Sequence, residues 1–598
     1  MRRIGRFFLY LFASVGTLVT LLFISAIVIA VTFDRPKSEL PERIVLHLDL
    51  DKGISDSRSD DPWRRLRGDE AVHLFDIVET LEVASSDERV VGLAIRLGAA
   101  RIGLAHAQEI RDSITAFRSR GKFVATFAQT FGGLRNGTAE YYLAASADEI
   151  WMQPSGQLGL LGIALETPYL RRALDKVGVR PEFEQRHEYK SGIELFTQET
   201  MSEPTRQSLT QLVGSWMGQI VSGIAEDRGL LPRKLRQLVD RSPLLASEAR
   251  NAQLIDHLGY WDDFIEAVEA QAGKKSIGLK LAYYAAQSDG SGEDATDVAM
   301  IYGTGPIQSG EAENSLWGSE VFAAESVVNA IDAATADESI AAILMRIDSP
   351  GGSYIGSDTV RHAVIRAKKK GKPVIASMGQ YGASGGYFVA AGADKIVAQP
   401  GTITGSIGVF GGKLATADLW DKLGISWSRV SVGANAGMWS QIYPFLPSAA
   451  DRHRVIIDFV YDDFTSKVTA DRTLPEGRID AVARGRIWSG ADAQQVGLVD
   501  ALGGYAVAAG LVRNALRLSS DAPLNFVVLP APRSVLDHLR DVFSEGVSFT
   551  QALATLISVP EPDTFDDLLR SLEQLTGDIS VLRRPAGLLQ LPPMRLAQ

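Results

Sequence analysis

Ala147-Asp148-Glu149-Ile150 followed by Gln153-Pro154, and Ala393-Asp394-Lys395-Ile396 followed by Gln399-Pro400, are one phrase written twice. The phrase continues alike in both places, as Asp175-Lys176-Val177-Gly178-Val179 and Asp421-Lys422-Leu423-Gly424-Ile425. The offset is 246 at both points, from 148 to 394 and from 175 to 421. Upstream of a short insertion near Arg135, Gly92–Arg96 answers to Ile343–Arg346 and Arg120-Gly121-Lys122 to Lys370-Gly371-Lys372. The repeats also end alike, at Leu254-Ile255-Asp256-His257-Leu258-Gly259 and Leu498-Val499-Asp500-Ala501-Leu502-Gly503. The chain is therefore read as a tandem duplication.

Each repeat opens with a strand-like run, Ile44 to Leu50 or Val298 to Ile301. A second run, apolar except for Arg96 or Arg346, comes next, Val91 to Leu97 or Ile340 to Ile347, of the kind buried on both faces of a parallel sheet. Helical periodicity then covers Ala107 to Arg120 and Asp358 to Lys370, each closed by glycine. A third strand, Phe123 to Phe127 or Pro373 to Ser377, leads to another helix. Strands alternating with helices at this spacing predict βαβ units and an α/β fold with a mainly parallel sheet. The expected domains are an anchor at 1–36, a first repeat at 40–286, a polar linker at 287–297, a second repeat at 298–529 and a tail at 530–598.

The repeats differ where chemistry would sit. Ser384, in Gly382-Ala383-Ser384-Gly385-Gly386, faces Thr138 of the first repeat, whereas Lys190, in Tyr189-Lys190-Ser191, faces Ala436 of the second. One half keeps a candidate nucleophile and the other a candidate base, as when a duplicated site collapses into one shared site. Ser384 comes after a buried strand where a helix should begin, the setting of a nucleophile elbow. Helix-terminal N–H groups there favour negative charge developing on oxygen. Asp348-Ser349-Pro350-Gly351-Gly352-Ser353, at the end of the preceding strand, offers further N–H donors from its paired glycines, which could hold an oxyanion together with the N–H of Gly385. The first repeat has Gly98-Ala99-Ala100-Arg101 there, without the proline or the paired glycines.

A glycine-rich turn also serves plain packing, and a lysine is ordinarily a solvated surface residue. A serine nucleophile still needs a base, and no histidine lies between His362 and His453. A free lysine, with a pKa of about 10.4, is too protonated to serve. Bringing it to about 7 takes roughly 4–5 kcal/mol of differential solvation, which burial can supply.

The 598-residue chain has a net charge of −11 and no basic stripe, which argues against a nucleic-acid partner. It contains no cysteine, excluding disulfides, a thiol nucleophile and Cys-ligated metals. Its eight histidines show no metal-ligand spacing, and no GxxxxGK[ST] nucleotide loop occurs, so no cofactor is expected. Arg2, Arg3 and Arg6 precede an uncharged apolar run from Phe7 to Phe33. As a helix the run would span about 40 Å, enough for a hydrocarbon core of about 30 Å. It reads as an uncleaved anchor with its basic end in the cytoplasm and the remainder outside, although Ser25-Ala26 and Ala30 leave cleavage open.

In combination, Ser349-Pro350-Gly351-Gly352, Met378-Gly379 through Ala383-Ser384-Gly385-Gly386-Tyr387, Gly405-Ser406-Ile407-Gly408-Val409, Tyr189-Lys190-Ser191, Gly485-Arg486-Ile487-Trp488 and Gly497-Leu498-Val499-Asp500 resemble the long, duplicated signal peptide peptidases of serine peptidase family S49. The resemblance extends from the anchor to about Leu516. It implies a crotonase/Clp-protease-like fold, Ser384 as nucleophile, Lys190 as general base, Gly352 and Gly385 as oxyanion donors, and a homo-oligomeric bowl, expected as a tetramer. It implies a membrane-anchored enzyme on the periplasmic side of the inner membrane of a Gram-negative cell, with spent hydrophobic signal peptides as substrates. Two rival readings are a non-peptidase acyl hydrolase of the same fold and a membrane scaffold without catalysis. An exported catalytic region speaks against the first, since soluble CoA is then an improbable substrate. A retained serine and lysine speak against the second.

Overall fold

The computed structural model describes residues 40–56, 71–98, 101–273, 275–288, 294–311, 321–475, 477–531, 589–590 and 595–596. Contacts divide the chain into Met1–Glu42 and Arg43–Gln598, and both repeats lie in the second unit. No helix among the described residues is long and apolar enough to cross a membrane, and the apolar run Phe7–Phe33 lies outside those residues.

The first repeat contains β1 (Ile44–Asp49), α1 (Leu74–Ser86), β2 (Val90–Arg96), α2 (Leu104–Ser119), β3 (Phe123–Ala128), α3 (Thr138–Ala144), β4 (Glu149–Met152), β5 (Leu165–Glu166), α4 (Arg171–Val177), β6 (Arg180–Arg186), β7 (His257–Leu258) and β8 (Ile277–Lys280). The second contains β9 (Thr296–Thr304), α5 (Ala324–Ala336), β10 (Ala342–Ser349), β11 (Gly351–Gly352), α6 (Tyr354–Lys369), β12 (Val374–Ala383), α7 (Gly385–Ala391), β13 (Lys395–Ala398), β14 (Ile403–Gly405), β15 (Val409–Ala415), α8 (Ala417–Lys422), β16 (Ile487–Ser489), β17 (Ala501–Leu502) and β18 (Leu524–Leu529). The tail adds two short pieces, β19 (Leu589–Gln590) and β20 (Arg595–Leu596). β9 begins at Thr296, inside the stretch expected to be linker, because Thr296 and Asp297 already pair with Leu524 and Asn525.

The first sheet runs β7-β4-β3-β2-β1-β8, every neighbour parallel. The second repeats that order as β17-β13-β12-β10-β9-β18, also parallel. β14 extends it beside the end of β12, and β16 closes that edge antiparallel. The apolar runs explain the architecture: β2 and β10 are buried along nearly their whole length, between helices on both faces.

Structural hydrogen bonds are duplicated with the sheets. Asp148 Oδ2 accepts from Val124 N and Asp394 Oδ2 from Val374 N, both at 2.8 Å. Tyr141 Oη donates to Leu254 O at 2.7 Å, and Tyr387 Oη to Leu498 O at 3.0 Å. The phrases that reveal the duplication in sequence are thus the ones that tie strands to loops.

The repeats are joined through buried charge and a shared strand pair. Arg346 of β10 is fully buried, 2.7 Å from Asp56 and 3.0 Å from Glu109, and its guanidinium lies 4.3 Å from the centre of the Tyr505 ring. β6 of the first repeat pairs antiparallel with β15 of the second, from Arg186↔Val409 to Arg180↔Ala415. This pairing carries the chain toward Lys190.

Candidate active site

Ser384 occupies the turn between β12 and α7 with φ 56 and ψ −115, a conformation that L-residues adopt only at a cost of about 1–3 kcal/mol. The turn is held by its backbone N–H, which donates to Gly405 O at 2.8 Å. A bulge sets up the approach. β10 and β12 are in step at Ile347↔Met378 but resume at Ser349↔Gly382, leaving extra residues in β12. Such bulges bend a strand and re-aim the residues beyond the bend. Here the slack is fixed by Tyr381 N donating to Asp348 Oδ1 at 2.8 Å, and by Ala105 N, at the start of α2, donating to Gln380 Oε1 at 3.2 Å.

Lys190 arrives from the other repeat and is completely buried. Its Nζ lies 2.6 Å from Ser384 Oγ, 2.8 Å from Ser406 O and 3.0 Å from Ser406 Oγ. Among the described residues no carboxylate is bonded to it, and burial pushes its pKa well below the ordinary lysine value. A neutral amine has two N–H donors and one lone pair. The three surrounding oxygens fit that inventory when Nζ donates to both oxygens of Ser406 and its lone pair accepts from the Ser384 hydroxyl. Gly485, at φ +84, makes the approach possible, since a Cβ there would lie 2.4 Å from Lys190 N.

Gly352 and Gly385 also converge. A Cβ on Gly385 would fall 3.2 Å from Gly352 N, so the two expected donors lie side by side next to the Ser384 turn. Gly352 has φ +155, and a Cβ there would collide with Ile307 O at 2.2 Å. The neighbouring Gly351 N–H is already spent on Ser349 Oγ at 3.2 Å. The backbone of Gly351–Gly352 also pairs antiparallel with Leu589–Gln590 of the tail, so this edge accepts an extended chain.

Ser384, Lys190, Gly352 and Gly385, the four residues that the sequence singles out, therefore meet in one buried place. Ser406 belongs to the same place, although its sequence motif assigns it no part. It is fully buried, holds φ 51 and supplies two of the three contacts to Lys190. The repeat offset carries the signal, because the first repeat has the apolar Leu160 at that position.

A second cluster of ionisable groups is invisible in the sequence. The ligating atoms of Asp56, His106 and Asp348 lie within 4.8 Å of one another. Despite burial, Arg346 and His106 hold the Asp56 carboxyl well below the usual range. Burial and the neighbouring Asp56 push Asp348 up to about 6. Arg346 already supplies the compensating positive charge, so the cluster reads as an ion-pair network joining the repeats.

A strained serine on a strand-to-helix turn, facing a desolvated amine and adjacent backbone N–H groups, has the parts of a serine hydrolase. The family model described as Peptidase family S49 matches residues 120–275 and 366–518, just over half of the sequence and one segment in each repeat. The chain belongs to that family, and relatives that it matches over most of its length are named as proteases. It is 27% identical to the chloroplastic serine protease SPPA of Arabidopsis thaliana over 534 residues, covering 88% of this chain and 77% of that one. It is 29% identical to Protease 4 of Haemophilus influenzae over 495 residues, covering 79% of each. Over 194 residues it is 31% identical to a putative signal peptide peptidase SppA of Enterococcus faecium, covering 32% of this chain and 56% of that one. Among solved structures, a Listeria monocytogenes ClpP1 mutant aligns with 36% of this chain and 94% of its own, at 14% identity and a TM-score of 0.23, too little overlap to carry an argument.

Proposed function

We propose that the protein is a membrane-anchored serine endopeptidase with a Ser384–Lys190 dyad, acting on signal peptides left in the membrane after export. The observation that carries this reading is the fully buried Lys190 Nζ at 2.6 Å from Ser384 Oγ, across 194 residues of sequence. In this mechanism Ser384 Oγ attacks the scissile carbonyl while Lys190 Nζ takes its proton. The tetrahedral oxyanion lies against the N–H groups of Gly352 and Gly385. Lys190 then returns the proton to the leaving amine. A water activated by the same amine hydrolyses the acyl-enzyme and restores Ser384. Ser406 orients the amine through both its oxygens.

An extended peptide would add as a strand along Gly351–Gly352, where main-chain bonds give affinity without demanding one sequence. The tail pairing there supports that mode of binding. The substrate class is supported by the name of the Enterococcus faecium relative and by the apolar run Phe7–Phe33, which would keep the enzyme where spent signal peptides accumulate. The fold is read as crotonase/Clp-protease-like, with the catalytic region on the periplasmic side.

The test is cleavage of a hydrophobic peptide by Ser384→Ala and Lys190→Ala. Both are expected to lose it while remaining folded; near-normal turnover by either variant defeats the dyad. A reporter fused after Asp34 should report a location outside the cytoplasm, and a cytoplasmic signal would reverse the proposed topology.

A further inference from the structure

The strained backbone of Ser384 needs a support that the dyad itself does not supply. β10 advances two residues, Ile347 to Ser349, while β12 advances four, Met378 to Gly382. Each residue of the slack, Gly379 to Tyr381, is held separately. Gly379 O accepts from Thr402 Oγ1 at 2.8 Å, and a Cβ on Gly379 would lie 2.5 Å from Asp56 Oδ2. The Gln380 side chain crosses to the first repeat, where its Oε1 accepts from Ala105 N at 3.2 Å. Tyr381 N donates to Asp348 Oδ1 at 2.8 Å, and three residues later the chain reaches Ser384.

The first repeat shows what the sheet alone requires. The offset in this part is 250, from Gly121 to Gly371, which sets Gly98 against Asp348, Thr130 against Gln380 and Gly103 against Ser353. At Gly98 the chain after β3 lies directly against the backbone, since a Cβ would fall 2.4 Å from Thr130 O. No carboxylate fits there, yet β2 and β3 pair in parallel as β10 and β12 do. The helix caps differ in a complementary way. α6 is capped by its own Ser353, whose Oγ accepts from Gly356 N at 3.1 Å. α2 follows Gly103, which has no side chain to cap it, and Gln380 of the other repeat supplies the acceptor. Only glycine leaves room for this, because a Cβ on Gly103 would lie 1.3 Å from Gln380 Nε2. Asp348 and Gln380 thus stand only in the repeat that keeps the serine, and the sheet forms without them.

We propose that Asp348 and Gln380 are positioning residues for the nucleophile, clamping the bulge of β12 so that Ser384 meets Lys190 from its strained turn. Both act through Ser384 rather than on the substrate. Asp348 ties the serine arm to the strand leading to Gly352, so nucleophile and oxyanion donors keep a fixed separation. Gln380 ties the same arm to α2, so the first repeat supports the serine as well as supplying its base. The inference rests on Ser384 as the nucleophile.

The test compares kcat and KM for a hydrophobic peptide, with the full chain in detergent micelles. Asp348→Ala is expected to lower kcat by about 10- to 100-fold, the cost of a misplaced reacting group, with KM within about twofold of the parent. KM holds because the backbone at Asp348 stays anchored, Gly305 N donating to Asp348 O at 2.9 Å. Asp348→Asn keeps an Oδ1 acceptor for Tyr381 N and should bring kcat back to within about threefold of the parent. Gly103→Ala pushes the Gln380 amide off α2 at a position whose φ of −73 suits any residue, and should lower kcat by about 3- to 10-fold. Gln380→Ala should cost as much, and the two together no more than either alone, since both remove one support. A kcat within about twofold of the parent in Asp348→Ala or in Gly103→Ala would overturn the inference, as would an Asn variant as slow as the alanine one. Should Asp348→Ala not fold, the Gly103 and Gln380 variants decide. Ser384→Ala separates the two readings. Cleavage that survives it removes the nucleophile and the clamp together, whereas cleavage lost there but unchanged in the clamp variants removes the clamp alone.

Discussion

The turn at Thr138 and the turn at Ser384 stand on the same scaffold and have opposite character. Around Thr138 the side chain is satisfied locally: its Oγ1 donates to Gly162 O at 3.2 Å and accepts from Gly162 N at 3.1 Å. Glu140, buried and pushed up to about 7 by that burial, occupies the place of Gly386, while Leu160 replaces Ser406. Around Ser384 the hydroxyl faces an amine from the other repeat, and the serine is held in strain. The difference shows which bonds the duplication had to keep. Those tying Asp148 or Asp394 to the preceding strand hold up a sheet and survive in both repeats. Those serving chemistry survive once, divided between the halves.

The largest effect expected from attacking this contrast is at Lys190. Lys190→Ala should lower kcat for peptide cleavage by about 10³-fold or more, since a positioned base is worth roughly 10²–10⁴, and steady-state kinetics on a hydrophobic peptide would show it. Ser406→Ala comes next. It removes one hydrogen bond to the amine but keeps the Ser406 carbonyl contact, so up to about a tenfold loss in kcat is expected, with KM little changed. Equal losses for the two variants would mean that Ser406 does more than orient.

Stability should move the other way. The folded-state pKa of Lys190 lies well below its unfolded value, so between the two the unfolded chain holds a proton that the folded chain lacks. Stability of the parent therefore rises with pH across that window. Lys190→Met, with no amine to desolvate, should melt higher than the parent at pH 7, and the advantage should shrink as pH approaches about 10.4. Thermal unfolding at several pH values measures this; a Met variant less stable than the parent at pH 7 would contradict it. The smallest effect concerns the silent turn. Thr138→Ser in a Ser384→Ala background should recover no cleavage, because Ala436 offers no base there.

Much of this is legible because the sequence states its case twice. The offset locates the strand starts to within about two residues and marks Ser384 and Lys190 as the residues their counterparts Thr138 and Ala436 lack, while the family resemblance joins the two across 194 positions. Residues whose role depends on distant packing are not legible. Arg346 meets Asp56 across 290 residues and Glu109 across 237, and no local pattern announces a partner that far off. The bulge in β12 escapes for a different reason: the sequence reading ends that strand at Ser377, and only pairing with β10 shows that it runs on to Ala383 with extra residues. Ser406 lies in view within Gly405-Ser406-Ile407-Gly408, but its contribution comes from a positive φ and a carbonyl that no side-chain pattern reports.

The most direct test of the central claim is the rate at which a fluorophosphonate labels Ser384 as a function of pH, read by mass spectrometry of the modified peptide. With a neutral lysine as base, the parent should label with an acid limb set by one ionisation well below about 10.4, and Lys190→Ala should stay unlabelled throughout. Labelling of Lys190→Ala at the parental rate, or an acid limb near the ordinary lysine value, would contradict it.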